Sequence, residues 1–232
     1  MLVSIIVCTE RPSFINNVFA NYKRQSYKHK EMIIVLNRDD MDINKWRRKA
    51  RQYKNVSVYR VPQKYQLGKC LNYGIQRAKH SIIAKFDDDD YYGRYYLSES
   101  VHKMRRQNVP VIGKNACFIY FEPKKALMLF RGSRQNRYQG FIKGGTLMFK
   151  KYVWRNVKFN EKKLHGSDVA FLSGCRKRGY KIYSVSKYNY VCVRRRDINS
   201  HTQKTSTKKY MRRCKLVRYT KHYIPYVTKK VL

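Results

Sequence analysis

Acidic residues are what this sequence has least of. Only 14 of its 232 residues are Asp or Glu, against 53 Lys and Arg, for a formal net charge of +39. Such a surplus predicts attraction to polyanions: nucleic acid, anionic lipid or an acidic glycan. Pairing signals for cysteine are missing too. Cys8, Cys70, Cys117, Cys175, Cys192 and Cys214 are scattered, with no C-x-x-C pair and no zinc-ligand spacing. Most stand among apolar residues, as small buried hydrophobes do, which suits a reducing compartment. No apolar run reaches membrane-spanning length, and the opening MLVSIIVC lacks the basic start of a secretory leader. The expectation is a cytoplasmic protein, with peripheral contact at the inner face of an anionic membrane left open.

What is present is material for a core. Hydrophobic residues make up 43% of the chain and Tyr alone occurs 21 times, which argues for a globular protein rather than a disordered basic tail. The length allows one domain, or a domain with an appendage. LVSIIVC (2–8), EMIIVLN (31–37), NVSVYRV (55–61) and SIIAKF (81–86) read as strands, the first two buried on both faces. Between them, 13–25, 42–54 and 68–80 carry helical spacing. Strand alternating with helix predicts an α/β fold with a mostly parallel central sheet. Ligands then bind beyond the carboxyl ends of the strands, where Thr9, Asn37 and Asp87 to Asp90 all fall.

The second half differs. VPVIG, ACFIYFE and ALMLFRG (109–132) are short strands, and EPKKA is a hairpin turn. FIKGGTLMFKKYVW (141–154) contains a strand opened by a Gly pair. HGSDVAFLSGCRKRGYKIYSV (165–185) reads as helix then strand, with Ser167 as N-cap and Gly179 as the stop. YNYVCV (188–193) is a last strand. No acid follows Asp197, and KKYMRRCKLVRY (208–219) is expected to form a short amphipathic helix with basic flanks.

Four of the 14 acids are adjacent, in AKFDDDDYYG (84–93). Neighbouring carboxylates repel, so a cation should offset them. If the stretch is extended, Asp87 and Asp89 face one way and Asp88 and Asp90 the other. Such a pair suits a hard ion with oxygen ligands, Mn²⁺ or Mg²⁺, which takes its remaining ligands from phosphate and water.

SIIVCTERP, EMIIVLN, LGKCLNYGI, IAKFDDDD, GGTLMF and GSDVAFLSGCRKRGYKI stand in the order found in family 2 glycosyltransferases of the GT-A fold, which the chain resembles from about residue 2 to about 202. The family's D-x-D-D is matched by Asp87 to Asp90, and its late Glu-Asp helix start by Ser167-Asp168. The resemblance implies a GT-A domain over 1–202, with a nucleotide-sugar-binding half to about residue 107, an acceptor-side half after it, and a basic extension over 203–232. It implies inverting transfer of a sugar from a nucleotide-diphosphate donor, a UDP-sugar favoured, to an acceptor hydroxyl. The acceptor would be a glycan, a lipid-linked or another hydroxyl, and anionic if the charge is to find its partner there. Asp168 matches the general base. Asp89, with Asp87, would hold the metal, and His201 or Arg195 would reach the phosphates or metal from a closing loop. Thr9, Glu10, Asn37, Asp39, Lys69, Asp87 and Asp88 are the donor-binding candidates. Gly144 and Gly145 would let backbone approach the donor sugar or acceptor.

The chain departs from the family in three places. TERP is one residue short, Asn37 replaces a usual Asp, and Leu71 stands where Arg is usual. The alternatives are a nucleic-acid-binding or nucleotidyl-transferring protein using the same carboxylates, or a scaffold of this fold without activity. No recognised nucleic-acid module occurs in the sequence, and the intact Asp89 and Asp168 argue against the scaffold.

Overall fold

The computed structural model describes residues 1–197 and 205–231. Its centre is an eight-stranded mixed sheet. Strands β1 (Val3–Thr9), β2 (Lys30–Leu36), β3 (Val56–Arg60) and β4 (Ile82–Asp87) run parallel in the order β3-β2-β1-β4. Helices α1 (Ile15–Arg24), α2 (Ile43–Ala50) and α3 (Leu67–Arg77) connect them. After the two-residue strand β5 (Tyr91–Tyr92) comes α4 (Tyr96–Arg106), and then a more irregular half. It holds β6 (Val111–Gly113), β7 (Cys117–Phe121), β8 (Ala126–Phe130), β9 (Arg137–Tyr138) and β10 (Met148–Lys150). Next follow α5 (Lys151–Asn156), α6 (Ser167–Lys177), β11 (Ile182–Ser184) and β12 (Tyr190–Arg194). The last elements are α7 (Thr207–Met211), β13 (Cys214–Tyr219) and α8 (Ile224–Val227).

β10 joins β4 antiparallel, and β6, β11 and β9 complete the large sheet. A second, five-stranded sheet runs β13-β8-β7-β12-β5. β1, β2 and β4 are mostly apolar because both of their faces are covered, whereas the edge strand β3 is largely open. Val3, Ile5 and Val7 pack on one side with Phe19, Trp46 and Leu97, while Ile6 packs on the other with Leu71, Trp154 and Phe171. α1 buries Ile15, Val18, Phe19 and Tyr22, the stripe its helical spacing predicts.

Three local expectations change. α6 is entered through Gly166, in the left-handed region at φ 74°, so Ser167 is already its first helical residue and makes no side-chain cap. Gly179, also at φ 74°, ends that helix as expected. The pair Gly144-Gly145 lies in a 3₁₀ turn (Gly144–Thr146), and the strand begins only at Met148. Residues 208–219 do not form one helix. α7 ends at Met211, and Cys214–Tyr219 becomes a strand because β8 supplies an open antiparallel edge for it. Among the described residues no helix is long and apolar enough to cross a membrane.

Candidate active site

β4 ends at Asp87 and the chain turns at once through Asp88 and Asp89. The alternation expected for an extended stretch therefore fails, and each carboxylate has its own partners. Helix α1 shapes the turn. Asn17 Nδ2 donates to the Asp88 and Asp90 carbonyls at 2.7 and 3.0 Å, and Asn21 Nδ2 donates to the Asp90 carbonyl at 2.8 Å.

Asp88 is buried. It accepts from Thr9 Oγ1 at 2.5 Å and from Arg11 Nε at 3.1 Å, and Arg11 Nη2 also pairs with it. Asp89 Oδ2 accepts from Arg11 Nη1 at 3.0 Å and from Arg195 Nη2 at 2.5 Å. Burial works to raise the Asp89 pKa, but the two guanidiniums outweigh it and hold the carboxyl below its usual range. Both guanidiniums lie 4.8 Å from the centre of the Phe14 ring. Asp90 points into the protein, where it accepts from the Tyr190 hydroxyl at 2.5 Å and the Val193 amide at 3.0 Å. Burial, with Asp89 and Asp87 adding to it, pushes Asp90 up to about 7.

Asp87 faces a different group. Lys85 Nζ lies 2.5 Å from Asp87 Oδ1 and 3.5 Å from Asp168 Oδ2, so one buried ammonium joins the end of β4 to the first turn of α6. Burial would lower the Lys85 pKa, yet Asp168 and Asp87 override it and hold the ammonium charged above its ordinary range. Asp168 is raised by burial, with Lys85 pulling the other way. Its Oδ1 is shielded from solvent and has no hydrogen-bond partner. A buried acceptor left open is uncommon and costs stability, so it marks a place where something else can bind.

The turn at Gly144–Thr146 is wedged between these carboxylates. A Cβ on Gly144 would overlap the Asp168 carboxylate, and one on Gly145 would overlap that of Asp87. Tyr92 fixes the arrangement. Its hydroxyl accepts from the Asp87 amide at 2.7 Å and donates to the Gly145 carbonyl at 2.5 Å.

The other candidates gather at the ends of β2 and β3. The Asn37 amide donates to the Thr9 carbonyl at 2.8 Å, which makes the β1 and β2 ends contiguous. The Asn37 side chain donates to the Pro62 and Gln63 carbonyls at 3.1 and 3.3 Å and accepts from Cys70 Sγ. Asp39 is exposed and accepts from the Gln63 amide at 3.1 Å. Lys69 Nζ lies 4.1 Å from the centre of the Tyr65 ring, and Glu10 is exposed. His201 lies outside the described residues.

Residues 3–159 match the model of Glycosyl transferase family 2. The chain belongs to that family. The match ends before α6, so Asp168 lies beyond it. Solved structures of the same fold include TarS of S. aureus in complex with UDP-GlcNAc, with a TM-score of 0.68 and 15% identity over 85% of this chain and 60% of that one. They include also the mannosyltransferase PcManGT from Pyrobaculum calidifontis in complex with GDP-Man and Mn²⁺, with a TM-score of 0.62 and 20% identity over 82% and 56%. This family 2 chain thus spans about three-fifths of their length, and its fold is GT-A. No curated protein matches the sequence.

Four residues that matter to the geometry went unremarked in the sequence: Lys85, Arg11, Tyr92 and Asn17. Lys85 carried a visible signal, being one charge inside an otherwise apolar strand. Arg11 carried none, because its partners are 77 and 78 positions away. For a divalent ion, the described residues hold no cluster of three or more His, Cys, Asp or Glu suited to it. Asp89 and Asp87 still fit in kind, since a Mg²⁺-type site needs only one or two protein carboxylates beside phosphate and water.

Proposed function

We propose that this protein is an inverting glycosyltransferase that moves a sugar from a nucleotide-diphosphate donor, a UDP-sugar favoured, to an acceptor hydroxyl in glycan synthesis. The observation that carries the reading is the group formed by Asp87, Lys85 and Asp168 around the Gly144-Gly145 turn, with Asp168 Oδ1 buried and unpaired. Asp168 accepts the proton of the acceptor hydroxyl as that oxygen attacks the anomeric carbon, and attack from the face opposite the leaving diphosphate inverts the centre. Lys85 keeps the two carboxylates side by side and holds Asp168 in place. The glycine turn lets the Asp168 and Asp87 carboxylates lie directly against the backbone, where any Cβ would displace them. Arg11 and Arg195 present fork-shaped donors of the kind that bind phosphate oxygens, at the edge of the acidic turn. Thr9, Asn37 and Asp39 line the side where the nucleotide base would lie. Asp89, helped by Asp87, would hold Mn²⁺ or Mg²⁺, which when bound supplies Lewis-acid stabilisation of the diphosphate.

The test is a thermal-shift and hydrolysis screen of nucleotide sugars with Mn²⁺, Mg²⁺ or chelator. Donor at 100 times its Kd should stabilise the fold by about 2.7 kcal/mol. No shift with any nucleotide sugar, alongside tight salt-sensitive DNA binding, would overturn the reading in favour of a nucleic-acid-binding protein.

A further inference from the structure

Eleven large hydrophobic side chains stand exposed among the described residues, and five of them fall within 216–226. These are Leu216, Val217 and Tyr219 on β13 and Ile224 and Tyr226 on α8, with exposures from 41% to 64%. The same stretch is charged with one sign only. Residues 205–231 carry nine Lys and Arg and no acid. Arg218 joins the two elements into one face, since its Nη1 donates to the Tyr226 hydroxyl at 2.6 Å and its guanidinium sits 5.0 Å from the centre of that ring.

The face is built into the domain and is not a loose tail. β13 pairs with β8, and Tyr120 OH donates to the Thr220 carbonyl at 3.0 Å. Val227 is fully buried, its carbonyl accepts from the Asn189 amide at 2.7 Å, and Asn189 Nδ2 donates to the Lys229 carbonyl at 2.7 Å. Exposed Leu, Val and Ile on an ordered edge strand and the helix beside it are a liability unless something covers them.

The geometry points to β13 and α8 as a docking face for an anionic lipid bilayer. Charge selects this occupant. A second copy of the chain would bring the same nine cations against these, and Lys215 and Arg218 already stand on the strand edge. A nucleic acid or acidic glycan would pair with the cations and gain little from Leu216, Val217 and Ile224. A bilayer with anionic headgroups uses both, drawing Lys and Arg to the phosphates and taking the aliphatic groups into the interface, with Tyr219 and Tyr226 at the boundary. The inference is independent of the chemistry proposed for the site.

The test is co-sedimentation of the full chain with phosphatidylcholine vesicles, with and without phosphatidylserine. Binding should require phosphatidylserine and weaken with salt. Replacing Arg213, Lys215 and Lys221 together by Gln should weaken it roughly hundredfold, since each contributes about a factor of five near such a surface. Replacing Leu216, Val217 and Ile224 together by Ser keeps the charge, and should remove the fraction that survives high salt. Melting temperature and the donor-induced thermal shift, measured on both variants, should match the native chain. Vesicle binding unchanged in either triple variant overturns the proposal. So does heparin or single-stranded DNA binding tighter than vesicle binding and indifferent to the Ser substitutions, or a change from dimer to monomer on those substitutions.

Discussion

Among the described residues two buried lysines meet carboxylates, and they differ in what is left over. Lys114, fully buried, donates to the Ser186 carbonyl at 2.7 Å and to Glu99 Oε2 at 3.3 Å. The other Glu99 oxygen accepts from the Ser186 amide at 3.0 Å, and Asn189 Nδ2 also reaches Oε2 at 3.3 Å. One cation answers one anion, and both carboxylate oxygens are satisfied. Lys85 answers two carboxylates, Asp87 and Asp168, and leaves Asp168 Oδ1 buried without a partner. In a chain of net charge +39 this is a pocket of local negative excess. The closed network ties α4 to the loop before β12 and specifies packing. The open one carries a cost that packing does not explain, which is what a site poised for a ligand looks like.

The largest effect should come from the open network. Asp168→Asn keeps the shape of the side chain and removes the proposed base, so turnover should fall by about 10²–10⁴ while donor-induced stabilisation persists. Native-like turnover would return Asp168 to the class of ordinary helix-start carboxylates and end the contrast. Lys114→Met tests the closed network. It leaves the fully buried Glu99 without its cation, and should cost roughly 3–5 kcal/mol in chemical denaturation without altering the turnover of the folded fraction. Lys85→Met should cost less stability, about 1–3 kcal/mol, because Asp87 and Asp168 keep 35% and 24% side-chain exposure and water can take over part of the role. It should still reduce turnover. Gly144→Ala adds only a methyl group, but that methyl group overlaps the Asp168 carboxylate, so a loss on the order of 10²-fold in kcat is expected from displacement of the base.

Much of the site's frame was legible in the sequence because it rests on local pattern. An apolar run buried on both faces, ended by acids, announces β4 and the turn after it. Asp168 was legible from its place at a helix start followed by a basic run and Gly-Tyr. Other features depend on partners far along the chain. The Lys85 side chain means little until α6 brings Asp168 to it. Arg11 is one arginine among many until it folds onto Asp88 and Asp89. The C-terminal segment shows the limit most plainly. In KKYMRRCKLVRY the apolar positions fit a helix as well as a strand, and only the open edge of β8 decides for β13 after Met211.

The two lysines also differ in sign, which gives the smallest and most selective test. Burial holds the Lys114 pKa below its ordinary 10.5, with Glu99 only partly offsetting it. Between that lowered value and 10.5 the unfolded chain keeps a proton that the folded chain has released. The contribution of Lys114 to unfolding free energy therefore rises with pH across that window. Lys85 is held above 10.5 by Asp168 and Asp87. Its contribution is fully present below 10.5 and is lost as pH climbs through the raised value. Tyrosine and cysteine ionisations, common to native and variant chains, cancel in a difference. The stability gap between the native chain and Lys114→Met should thus move in favour of the native chain as pH approaches 10.5, while the gap for Lys85→Met stays level. A Lys114 gap that instead stays level as pH approaches 10.5, as that of Lys85 does, would mean its ammonium is held as tightly as that of Lys85, and that the second network is not the closed, desolvation-dominated one described above.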